Sequence, residues 1–205
     1  MKVATILLIS LMVCFVPMTA ADSIPVGEVA IGFTGGATWT SDSTGICIWY
    51  FPVVGNAELE SLFIKTPLGG PIVDREHSYF LWVSDFSAEL LPATSPHALA
   101  LVPTGTATVY YRSDPTARDF TNLADRRTWG TPVATFVRKA SILRSPDGFA
   151  SDTFVFSADL ISTAPFTLNG NRFDFKALIP NGITCFEYGQ GGSSWEAGSC
   201  VAKGK

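Results

Sequence analysis

The sequence predicts an all-β domain, built as an antiparallel β-sandwich or closed β-barrel of about ten to twelve short strands. Three observations carry this. Apolar segments are short and separated by turn formers, with 18 Gly and 13 Pro in 205 residues. Several segments alternate apolar and polar side chains with the period of two that a strand imposes. No long stretch carries a helical apolar period. A sheet with one apolar face must bury it against a second sheet or against itself, which leaves a sandwich or a barrel.

The first 21 residues read as a secretory signal. Lys2 supplies a short positive region, an apolar core runs over residues 3–16, and small residues at Thr19, Ala20 and Ala21 offer a cleavage site. A lipoprotein anchor on Cys14 is the competing reading, but it needs small residues where Met12 and Val13 stand. Residues 22–205 then form one domain, and no later segment has the ~18 uninterrupted apolar residues of a membrane span. The expected destination is secreted, periplasmic or at the cell surface.

Taken in order, residues 28–33 and 37–40 flank Gly35-Gly36, which predicts a tight hairpin. Residues 45–54 are almost wholly apolar, as in a strand buried on both faces. Residues 59–65 form a further strand before the turn formers of residues 67–71. Residues 77–91, HSYFLWVSDFSAELL, are the densest aromatic-apolar run and predict a central strand around Trp82. Residues 105–112 alternate Thr106, Thr108 and Tyr110 against Ala107, Val109 and Tyr111.

Residues 113–131 are polar and long for a connection in a compact domain. Such loops are functional or hold a short helix, and one is expected over residues 119–126. Residues 133–143 form a strand and Pro146-Asp147-Gly148 turns the chain. Residues 153–161 place Phe154, Phe156, Ala158 and Leu160 on one face. Asn169-Gly170 is a hairpin signal, with Phe173, Phe175, Ala177 and Ile179 on the apolar face of the returning strand. A second Asn-Gly, Asn181-Gly182, leads into a strand over residues 183–188.

Without Cys14 three cysteines remain, and an oxidising destination makes one disulfide the expectation. Cys185 with Cys200 is preferred, because the intervening Gly189, Gly191 and Gly192 suit a reversing loop whose ends meet. Cys47 is then a buried thiol among Ile46, Ile48, Trp49 and Tyr50. Pairing Cys47 with either later cysteine would instead tie the first strands to the last.

Charge is uneven along the chain. Residues 22–111 hold two bases against nine acids, whereas residues 112–144 hold seven bases against three acids. The net charge of −4 argues against nucleic acid as a partner. The two histidines, His77 and His97, are far apart in sequence and no Cys-x-x-Cys or Gly-x-Ser-x-Gly spacing occurs, so neither a metal, a cofactor nor an activated serine is expected.

Two groups of residues are candidates for a site. Carboxylates surround the 77–91 run, and Asp85 and Glu76 with His77 as proton carrier would suit acid-base cleavage of a glycosidic bond. Asp85 matters most, since an acid in so apolar a strand either faces water or is buried with a raised pKa. In the long loop, Trp129 stands beside Arg126 and Arg127; with Tyr111 these suit a carbohydrate or small anionic ligand. The expected function is an exported, non-catalytic binding or structural module. The alternatives are a small barrel enzyme using paired carboxylates and a lipocalin-like carrier with an apolar ligand in its interior.

Overall fold

The computed structural model describes residues 23–41, 44–55, 77–91, 99–145, 151–168, 170–190 and 195–205. The expected signal segment, the strand at 59–65, the turns at 67–71 and 146–148, Glu76 and His97 lie outside these residues. Eight antiparallel strands close into a barrel: β1 (Val29–Trp39), β2 (Thr44–Val54), β3 (Phe80–Leu91), β4 (Leu99–Tyr111), β5 (Thr131–Ser145), β6 (Ser151–Thr163), β9 (Ile183–Gln190) and β10 (Trp195–Ala202). Neighbours in sequence are neighbours in the barrel, and β10 pairs back onto β1. Closure leaves no unpaired edge. A short hairpin, β7 (Phe166–Leu168) with β8 (Asn171–Phe173), and one helical turn, α1 (Phe175–Leu178), lie between β6 and β9.

The barrel strands are 8 to 15 residues long, longer than the turn signals suggest. The Gly35-Gly36 hairpin is one reason. It does not form: both glycines sit inside β1, where Gly35 pairs with Trp49 and Gly36 with Ile48. A Cβ on Gly35 would run into Ile48 O, so glycine here permits close approach of two strands and not a reversal. The chain turns instead beyond Trp39, where the Thr40 and Ser41 amides donate to Thr44 O.

Period-two alternation then fills the interior. Register sets Trp49 beside Trp82 and Val109, and Cys47 beside Ser84 and Ala107. Trp82 stacks against Trp49 at 5.6 Å and meets Phe136 at 5.0 Å and Phe156 at 6.1 Å, while Phe33 stacks on Trp49 at 4.1 Å. This aromatic layer occupies the interior at its own level, against the reading of an apolar ligand cavity there. Phe154, Phe156 and Ala158 are buried on one face of β6, as the alternation predicts.

The return strand after Asn169-Gly170 is shorter than expected. β8 ends at Phe173, and Asp174 accepts a hydrogen bond from Lys176 N to start α1. A local side-chain cap thus redirects the chain. The consequence is a plug: Phe175 meets Phe80 and Phe136 edge-on at 6.4 and 6.5 Å, and Ile24 N donates to Leu178 O. Gly182 holds φ at +93°, and a Cβ there would collide with Ala158 O; only glycine makes this turn into β9.

Cys185 and Cys200 face each other across β9 and β10 and form the disulfide. Cys47 is a buried free thiol, its pKa raised well above the usual range by burial and then by the nearby carboxylates of Glu196 and Glu187. Among the described residues no helix is long and apolar enough to cross a membrane.

Candidate ligand site on the barrel wall

The polar connection between β4 and β5 is laid against the outside of the barrel. Its only helical part is a 3-10 turn at Pro115–Ala117, and the helix expected at 119–126 is absent. The reason is local competition. Asp119, Asn122 and Asp125 each accept, through the side chain, the backbone N–H two residues ahead, on Thr121, Ala124 and Arg127. These Asx turns take the amides that a helix would have used.

Two residues fasten the loop. Trp129 is 0% exposed, its indole N–H donates to Asp119 O at 2.9 Å, and its ring packs on Phe120 and edge-on to Tyr110. Arg118 is buried and donates to the carbonyls of Trp129, Ser78 and Tyr79, joining the loop to the chain entering β3. Burial, and then the charge of Arg112, lower its pKa to about 9, so it keeps its proton at neutral pH. Replacing Arg118 with methionine strips donors from three carbonyls, and an unsatisfied buried acceptor costs about 1–3 kcal/mol. The expected result is early proteolytic cutting within residues 112–130 of a barrel that stays folded; unchanged cutting would contradict the anchoring role.

Arg126 leaves the loop in the other direction. Its guanidinium lies 5.6 Å from the Trp129 ring and its Nη2 donates to Asp85 Oδ1 at 2.5 Å. Burial opposes the Arg126 charge, but the hydrogen bond and charge of Asp85 outweigh it and raise the pKa. Asp85 is on the outer face of β3, because Phe80, Trp82, Ser84 and Phe86 take the inner one; its side chain is 65% exposed. The buried-acid condition for catalysis therefore fails.

Around this pair runs a groove of about 610 Å³. Its rim carries the hydroxyl residues Thr38, Thr40, Thr44, Ser87 and Thr104, and Ile46 and Leu123 add apolar side chains. It draws on β1 to β4 and the loop together, which is why the loop must be fastened for the groove to exist.

The sequence-derived candidates are thus scattered. Asp85 and Arg126 meet in the groove. Trp129 lies beneath the loop as its anchor and has no face to offer a ligand. Arg127 points to solvent, bound to Asp125 and 88% exposed. Tyr111 faces inward, donating to Thr167 O and packing on Phe80 and Phe166. His77 precedes β3, eight residues before Asp85 in sequence, and does not line the groove that holds Asp85. The rim threonines were missed; their signal was the outward alternation of Thr104 with Thr106 in β4, whereas Thr38 near the end of β1 and Thr40 just beyond it belong to the approach to a turn. Among the described residues no group of three His, Cys, Asp or Glu could hold a metal ion. No family model, curated protein or solved structure matches this chain.

Proposed function

We propose that this chain is an exported, non-catalytic binding barrel that holds a neutral saccharide in the outer-wall groove. The observation that carries the reading is the Asp85–Arg126 pair, set among hydroxyl groups over an apolar floor. A sugar presents hydroxyls that both donate and accept, and C–H faces that lie on apolar surface. A carboxylate beside a guanidinium answers the first, and Ile46 and Leu123 answer the second. An anionic ligand fits less well, since Asp85 already balances Arg126. Export is supported by the N-terminal signal pattern and is compatible with the disulfide.

A part-exposed ion pair contributes about 0–1 kcal/mol to stability, so it can be removed without unfolding the barrel. A glycan array on the wild-type protein should return saccharide binders. Asp85→Ala and Arg126→Ala should each weaken binding by at least about tenfold, equivalent to ~1.4 kcal/mol, with unchanged thermal midpoints. Equal binding by both variants would remove the groove as the site.

A further inference from the structure

Away from the groove, the outer wall of the barrel carries a patch of a different kind. On β9 the inward Cys185 and Glu187 alternate with Phe186 and Tyr188, which point outward and are 50% and 51% exposed. Register extends each aromatic into a row across four strands. Phe186 stands between Val155 of β6 and Ser199 of β10, and beyond Ser199 comes Gly32 of β1. Tyr188 stands between Thr153 and Ala197, and beyond Ala197 comes Thr34. Both rows face out, because Ile31, Phe33, Phe154 and Phe156 beside them are buried inside and a Cβ on Gly198 would meet the Phe33 ring.

Three features of these rows fit a second copy of this chain. Neither row holds a charge, so a chain of net charge −4 can meet its copy here without setting like charges against each other. Charge returns only at the margin, where Asp159, two residues past Ser157 on β6, pairs with Lys139 and Lys203. The relief is self-complementary: the two aromatics project beside a trough of Ala197, Ser199, Gly32 and Thr34, where no side chain is larger than threonine. A twofold axis running along the strands between β9 and β10 sets the aromatics of each copy over the trough of the other. One patch then serves both sides, as an isologous contact requires. The polar groups are hydroxyls, on Tyr188, Ser199 and Thr153. A hydroxyl both donates and accepts, so it can bond to its own copy across a twofold, which a carboxylate or an ammonium cannot.

We infer that these two rows are the contact of a symmetric dimer. Strands about 4.8 Å apart and rows about 7 Å apart give a patch of a few hundred Å² per copy, against the ~800 Å² per partner of a stable complex. The dimer is therefore weak and forms as concentration rises. None of its residues lines the groove, so dimer and saccharide site are independent.

The test is sedimentation equilibrium of the wild-type protein over a series of concentrations. The mass is expected to climb from one chain toward two through the micromolar range. Tyr188→Lys and Ala197→Glu each leave an unpaired charge in both halves of the contact, and each should weaken association at least about tenfold with unchanged thermal midpoints. Mixed in equal amounts, the two variants should associate again. The introduced ammonium of one then faces the introduced carboxylate of the other, and the second half of the contact is wild type. Should one variant fold poorly, the other decides alone against the wild type. A single chain at every concentration up to millimolar, association left intact by Tyr188→Lys or Ala197→Glu, or two folded variants that stay apart when mixed would overturn the inference.

Discussion

Replacing Trp82 with alanine is expected to destabilise the protein by about 3–5 kcal/mol, the range for large aromatic-to-alanine changes in a core. Trp82 is 1% exposed and touches aromatics from opposite walls of the barrel: Trp49 on β2, Phe136 on β5 and Phe156 on β6. Its removal opens a cavity that no single strand can move to fill, because each is paired on both sides. The measurement is the denaturant midpoint at constant slope. Trp82→Phe should retain most of the stability, since Trp82 Nε1 has no hydrogen-bond partner to lose among the described residues. Trp129→Ala offers the contrast. That side chain is equally buried but lies outside the barrel, so its loss should free the loop before it unfolds the strands. A cost below about 1 kcal/mol for Trp82→Ala would place it among surface substitutions and contradict the aromatic layer as the centre of the fold.

Removing the Cys185–Cys200 bridge is the second large effect. The cysteines are 15 residues apart in sequence, and closing a loop of that size stabilises by about 3 kcal/mol on the chain-entropy model. For a domain of this size that corresponds to a fall of roughly 6–12 °C in thermal midpoint. Both cysteines should be replaced together, as Cys185→Ala/Cys200→Ala, because this leaves Cys47 no partner for exchange. The location sharpens the expectation. β10 is the strand that closes the barrel onto β1, so the amides of β1 and β10 should lose hydrogen-exchange protection before those of β3 and β4. Uniform loss across all strands would mean that the bridge does not guard the seam.

The fold class was legible because it depends on short-range alternation. Phe154, Phe156 and Ala158, or Ala107 and Val109, share a face whatever lies opposite them. What misled was chemistry with two uses. Gly35-Gly36 suits a hairpin or a close strand crossing, and only the partner strand decides. Asp119, Asn122 and Asp125 suit the exposed side of a helix or successive Asx turns, and their backbone bonds decided. Asp174 ended a strand that alternation alone would have continued through Phe175 and Ala177. The groove was less legible for a different reason: four strands and a distant loop assemble it, so its rim is not contiguous anywhere in sequence. Asp85 was visible as an anomaly, but its partner Arg126 lies 41 residues away.

The most direct test of the groove is a titration followed by backbone amide NMR, using the tightest saccharide from the array. Shift changes are expected to be confined to Thr38, Thr40, Thr44, Asp85, Ser87, Thr104 and the loop near Arg126. Changes concentrated on the outward aromatics of β9, Phe186 and Tyr188, which are 50% and 51% exposed, would contradict it and move the saccharide to the opposite wall.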